Sequence, residues 1–222
     1  MIYYVIPARR GSKGLPFKNR TLVRILLPRI PLDRRAQTIV TTDDEDIQAW
    51  ASAEGVQVVV RPPELADDRA SIKPVMDHAV RSVGMHDGDV VVMLYPTYPE
   101  RTWRDVESAL AVFMESGAPS LCCRKKAATH PYLTYYALPG GRGRKVVDHQ
   151  LYRRQDYPEC FEVSHYVCIF RVGSLAALDD RLLCDESVFY PIDDVIDVDT
   201  PEDWKAYGRT SDGAGRASAV SA

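Results

Sequence analysis

Seven short β-rich apolar runs recur along the chain, at Ile2–Pro7, Thr38–Thr42, Val56–Val60, Val90–Tyr95, Ser120–Cys123, Tyr166–Arg171 and Val195–Val198. Helical patterns separate several of them. Asp44–Glu54 carries Ile47, Trp50 and Ala51 at helical spacing behind acidic residues, and Ser71–Val83 and Trp103–Ser116 behave in the same way. This alternation predicts an α/β fold: a mostly parallel sheet with helices on both faces and a ligand site outside the carboxyl ends of its strands. At 222 residues the chain is long enough for one such domain, placed here at residues 1–208. Thr129–Glu162 breaks the rhythm with Tyr, Pro, Gly and Arg, and reads as a hairpin-like excursion with irregular arms. The Gly/Ser/Ala tail at 209–222 has little to bury and reads as disordered.

A net charge of −3 gives no global attraction to nucleic acid or to an anionic membrane, so any anion binding must be local. No apolar run approaches the roughly 20 residues needed to span a bilayer, and the N-terminus enters a strand without a leader pattern. Five cysteines without a C-x-x-C pair argue against both a disulfide framework and a zinc site. These features fit a reducing cytoplasm.

The first strand runs straight into Pro7-Ala8-Arg9-Arg10-Gly11-Ser12-Lys13-Gly14-Leu15-Pro16-Phe17-Lys18-Asn19. Gly11 and Gly14 let the backbone turn and approach a ligand, while Arg9, Arg10, Lys13 and Lys18 supply positive charge. The combination suits a polyphosphate. It is not a Walker A loop, because Gly14 is followed by Leu-Pro and not Lys-Ser/Thr. Near the other end, Asp197 and Asp199 stand two residues apart in an apolar run, which in a strand puts both carboxylates on one face. Such a pair repels itself unless a cation compensates, and hard oxygen ligands suit Mg²⁺ with substrate phosphates. The competing reading is a helix cap, which Thr200 before Pro201 can supply alone.

The loop resembles the A-R-x-G-S-K-G-x-x-x-K-N signature of the cytidylyltransferases that activate sialic acid and related acids as CMP conjugates. Asp197-Val198-Asp199-Thr200 resembles the I-D-I-D-T of the same family, Arg61–Ser71 its R-P-x-E-L-A-x-D-x-x-S, and Thr41–Glu45 its S-T-D-x-E. The resemblance runs in order from Ile2 to about Trp204. It implies a Rossmann-like sheet of the nucleotide-diphospho-sugar transferase kind, a protruding dimerisation insertion, and a homodimer that uses CTP and Mg²⁺. It also implies that Arg9, Ser12, Lys13 and Lys18 contact phosphates, with Arg9, Lys13 and Lys18 catalytic. Ala8, Arg10, Gly11, Asn19, Arg61 and Ser71 complete the nucleotide site, and Asp197 and Asp199 hold the metal. On residue type alone, Arg61 is equally a solvated arginine and Asp43 a helix cap.

The acceptor side departs from that family. Its Q-P-T-S-P-x-R-T strand end is Tyr95-Pro96-Thr97-Tyr98-Pro99-Glu100-Arg101-Thr102, a Lys expected after His130-Pro131 is Leu133 unless Lys125 or Lys126 substitutes, and N-G-A-x-Y is Ser164–Cys168. The family's G-K-P-L-I helix start is absent. Losing polar groups that bond a polyol suggests a different acceptor. Arg153-Arg154-Gln155-Asp156 still matches R-R-Q-D, with Arg154 suited to clamp an acid. Tyr95, Arg154 and His165 are therefore the candidate acceptor-binding residues, although a lone strand His is often structural. The resulting expectation is cytidylyl transfer to a small anionic acceptor, leaning towards a phosphonate. The alternatives are a nonulosonic-acid synthetase with a rebuilt pocket and a non-catalytic nucleotide-binding relative.

Overall fold

The structure, a computed structural model, describes residues 1–11, 15, 17–67 and 69–209. Ser12, Lys13 and nearly all of the expected tail lie outside the described residues. Nine strands follow in chain order among the described residues: β1 (Ile2–Pro7), β2 (Thr38–Thr42), β3 (Gln57–Val60), β4 (Val90–Met93), β5 (Ser120–Lys126), β6 (Tyr135–Leu138), β7 (Arg142–Lys145), β8 (Phe161–Arg171) and β9 (Val188–Pro191). Seven form one sheet in the order β3-β2-β1-β4-β8-β5-β9, while β6 and β7 pair separately within the 129–162 excursion. β1, β2, β3 and β4 run parallel, as do β5 and β9; β8 is antiparallel to both of its neighbours.

Both faces of the central strands are covered, which explains why their sequences are continuously apolar and not alternating. Successive side chains of β1 enter opposite layers. Tyr4 and Ile6 join Val40, Val92 and Phe113 on one face, whereas Val5 joins Ile39, Met93, Met76 and Phe170 on the other. The first layer is closed by α1 (Lys18–Leu26), α2 (Glu45–Ala53) and α5 (Trp103–Ser116). The four-residue α3 (Pro63–Ala66) leads into α4 (Ile72–Val83), whose Val75, Met76 and Ala79 close the second. A final helix, α6, occupies 201–209.

Local chemistry sets the helix ends. Asp44 caps α2 by accepting from the amides of Asp46 at 3.0 Å and Ile47 at 3.3 Å. Thr102 and Asp105 form a reciprocal capping box on α5, and Thr200 and Asp203 do the same for α6. α4 stops at Gly84, whose φ of 74° is a left-handed conformation that disfavours a Cβ.

Two strand expectations are corrected. Residues 195–198 form no strand: the run crosses the carboxyl ends of the sheet, and Val198 N–H donates across to the Thr97 carbonyl at 2.8 Å. The strand lies earlier, at β9, a short edge strand whose Phe-Tyr-Pro ending masked it. β8 also begins five residues before its expected start, at Phe161, because its first half pairs with the exposed end of β5. No helix among the described residues is long and apolar enough to cross a membrane.

Phe113 is fully buried on α5, whereas the adjacent Val112 is exposed. Phe113→Ala is expected to cost about 3–5 kcal/mol, against under about 0.5 for Val112→Ala, in urea unfolding. Equal midpoints for the two variants would contradict the placement of α5.

Candidate active site

The carboxyl ends of β1, β3 and β4 open into a cleft of about 290 Å³. Its lining draws together Arg9, Gly11, Lys18, Asn19, Arg61, Ser71, Tyr95, His165, Asp197 and Asp199, collected from both ends of the chain. Most of the residues singled out from the sequence thus converge. Ala8 is buried behind the wall, donating its amide to the Thr41 carbonyl at 3.0 Å, and so extends the β1–β2 ladder into the loop. Arg10 is exposed, and its amide donates to Asp43 at 2.7 Å. Asp43 therefore ties down the loop, and Asp44 is the cap of α2.

The start of α1 is arranged for an anion. Its first turn holds no acidic residue and no side chain caps it; Phe17, just before it, adopts a left-handed φ of 56°. Uncapped amides at a helix start attract negative charge. Lys18 is buried there and pairs with Asp199. Asn19 donates its side-chain amide to the Arg9 carbonyl at 2.8 Å, clasping the loop against the helix. Its observed contact is therefore with the chain's own backbone. Arg20 bonds Asp44 at 2.7 Å and so locks α1 to α2.

Arg61 is buried at the end of β3, donating to the Thr41 carbonyl at 2.9 Å. Burial lowers its pKa to about 10, so it remains a cation at neutral pH. Its Nε has no hydrogen-bond partner among the described residues although it is buried. A buried donor left open in a cleft wall is costly without a ligand acceptor. Ser71 precedes α4, yet its hydroxyl donates to Asp180 at 2.9 Å and does not cap the helix.

On the opposite wall, Thr97 and Tyr98 hydrogen-bond the Asp197 carboxylate, a contact missed in reading the sequence. The available signal was position, since Tyr95–Tyr98 directly follows β4. Asp197 keeps accessible surface towards the cleft, yet the crowding wall dominates its titration: burial raises its pKa, and neighbouring Asp199 adds to the rise against the Thr97 and Tyr98 bonds. Asp199 is not spent on capping, because Thr200 and Asp203 cap α6. Tyr95 meets His165 edge to face at 5.9 Å between ring centres. Burial lowers the His165 pKa, favouring a neutral imidazole. Buried Arg101 donates to the Tyr95 and Tyr166 carbonyls at 2.8 and 2.6 Å, pinning this wall to β8.

Arg154 does not reach this cleft within its own chain. It lines a second cleft of about 470 Å³ with Arg124, Lys125, Lys126 and His130.

Residues 3–127 match the cytidylyltransferase family. The chain belongs to that family. A 120-residue stretch is 35% identical to the N-acylneuraminate cytidylyltransferase of Escherichia coli O18:K1:H7, covering 50% of this chain and 28% of that protein. The chain therefore spans little more than a quarter of that relative. Over 214 residues it is 27% identical to the post-translational flagellin modification protein B of Campylobacter coli, covering 88% of this chain and 91% of that one. In three dimensions the chain superposes on a CMP:2-keto-3-deoxy-manno-octonic acid synthetase complexed with CTP, with a TM-score of 0.66 at 16% identity over 96% of this chain and 99% of the other. That likeness agrees with the mostly parallel, Rossmann-like sheet.

The raised Asp197 pKa carries a sign for stability. A carboxyl with a folded pKa above its unfolded value destabilises the fold once ionised; the cost grows as pH rises from the unfolded value near 3.9 through the folded one and persists at neutral pH. Asp197→Asn should therefore raise the metal-free unfolding midpoint at neutral pH, with the gain shrinking as pH falls towards about 4. A lower midpoint at neutral pH would contradict the disfavoured ionisation assigned to Asp197.

Proposed function

We propose that this cytidylyltransferase transfers CMP from CTP to a small anionic acceptor and releases pyrophosphate. One observation carries the reading: Lys18, at the anion-binding start of α1, meets Asp199 beside Asp197 in a single cleft. Arg9 and Lys18, with Lys13 from the same loop, hold the triphosphate, and Gly11 lets the backbone approach it. The open Nε of Arg61 and the far end of the cleft near Ser71 serve the nucleoside. Fixed cations that meet charge developing on the leaving pyrophosphate lower the barrier without reorganising. The acceptor oxygen forms a bond to the α-phosphorus as the bond to the pyrophosphate oxygen breaks.

The donor set suits Mg²⁺. Two carboxylates with hydrogen-bonded neighbours offer hard oxygen, and the Lys18 ammonium already occupies the position of a cation beside Asp199. Bound there, Mg²⁺ would neutralise phosphate oxygens. Thr97 and Tyr98 would orient Asp197 towards it.

The rings of Tyr95, Tyr98 and His165 line the cleft and narrow the space left beside the nucleotide, which favours a compact acceptor such as a small phosphonate. The names of the relatives favour a second reading, a nonulosonic sugar acid. Homodimerisation is proposed through the excursion, where Tyr135, Tyr136 and Leu138 are exposed and Tyr152 is 94% exposed. A second copy docked there would be the source of an Arg154 near the acceptor.

Pyrophosphate release is expected with CTP, Mg²⁺ and small phosphonates; turnover with sugar acids alone would overturn the acceptor assignment. Asp199→Asn should lower kcat about 10²–10³-fold. An unchanged rate would remove Asp199 from the site. A monomer by light scattering at working concentration would contradict the dimer.

A further inference from the structure

Behind the cleft wall lies a group of side chains of which the proposed transfer uses only His165, as part of the wall. Cys122 on β5 and Cys168 on β8 are directly opposed partners in the antiparallel ladder, and both are fully buried in the layer that also holds Met93 and Phe170. His165, three residues before Cys168, is half-buried and reaches from the same strand into the cleft. One ligand atom from each of the three, two sulfurs and an imidazole nitrogen, lies within 4.8 Å of the others. Among the described residues this is the one such group of three or more potential metal-binding side chains.

We propose that Cys122, Cys168 and His165 form a binding site for a borderline-soft divalent ion of the zinc type, distinct from the Asp197–Asp199 pair. The donor chemistry separates the two. Thiolate and imidazole select zinc-like ions, whereas carboxylates suit magnesium. A tetrahedral zinc with Zn–S about 2.3 Å and Zn–N about 2.0–2.1 Å needs donors roughly 3.4–3.8 Å apart, within reach of small side-chain adjustments from the observed spacing. Charge also fits. Both cysteines are free and lie in apolar surroundings; a dipositive ion bound by two thiolates releases their two protons and leaves a neutral centre. A neutral centre avoids the cost of burying a net charge.

The imidazole is already positioned. It packs edge to face on Tyr95 and donates to the main-chain carbonyl of Arg181, the outer bond by which metal-bound histidines fix their orientation. Three protein ligands leave the fourth tetrahedral position to a water or to a group in the cleft, since His165 lines it. The spacing of cysteines along the chain hid this site. Its ligands meet through strand pairing, with Cys122 and Cys168 46 positions apart in place of a C-x-x-C turn.

The site shares only His165 with the transfer reaction, and its test needs no turnover. The full chain, reduced and with its free thiols counted under denaturing conditions, is titrated anaerobically with Co²⁺ and then Zn²⁺ while absorbance is followed. One equivalent of Co²⁺ should give thiolate-to-cobalt charge-transfer and tetrahedral ligand-field bands. Zn²⁺ should bleach them; excess Mg²⁺ should not. Cys122→Ala, Cys168→Ala and His165→Ala should each weaken Co²⁺ binding at least about 10-fold. Cys123→Ala, whose sulfur packs in the opposite layer, should keep the wild-type spectrum. The wild-type titration guards against variants that fail to fold. Absence of thiolate–cobalt bands in fully reduced wild-type protein would overturn the proposal. Bands unchanged in both Cys122→Ala and Cys168→Ala would overturn it as well.

Discussion

Lys18 and Asp199 stand 181 positions apart in sequence and form an ion pair at the mouth of the cleft. The pair joins the glycine-rich loop after the first strand to the acidic segment before the last helix. Without it, a cationic loop and two repelling carboxylates would face one another with nothing to set their spacing. Its geometry rests on the parallel core, since β1 and β4 together fix where the loop begins and where Tyr95–Tyr98 turns against Asp197. Arg101 then secures that turn to β8.

The same cleft concentrates local costs that the rest of the fold offsets. Asp197 is held where ionisation is disfavoured, Arg61 is a buried cation with an open donor, and Phe17 sits in a left-handed conformation that costs a bulky residue about 1–2 kcal/mol. Elsewhere α2, α5 and α6 carry side-chain caps and the sheet is packed on both faces. Groups of this kind in a cleft wall are what a preorganised site for a highly charged ligand requires. A bound triphosphate with its metal would meet most of these groups at once.

Much of this arrangement was legible before any coordinates. The alternation of apolar runs with helical patterns signalled a sheet covered on both faces, and Asp44–Glu54, Trp103–Ser116 and Thr200-Pro201 marked helices where they occur. The loop and the acid pair could be assigned to one site because both lie at ends of runs that a parallel sheet brings together. What could not be read was strand direction: nothing in Tyr166–Arg171 distinguishes an antiparallel insertion between β4 and β5 from another parallel strand. That single reversal opposes Cys122 to Cys168 and carries His165 into the cleft. The extended path of 192–199 was also hidden, because its apolar residues pack beneath the cleft as they would in a strand. Arg154 shows the remaining limit, since its motif is intact while its own chain sends it to a different cleft.

The central claim is that the two ends of the chain build one nucleotide site through Lys18 and Asp199. A double-mutant cycle on CTP affinity, measured calorimetrically at fixed Mg²⁺ for Lys18→Met, Asp199→Asn and the double variant, tests it most directly. The account predicts a coupling of at least about 1 kcal/mol between the two positions. Effects that add to within about 0.3 kcal/mol would contradict it.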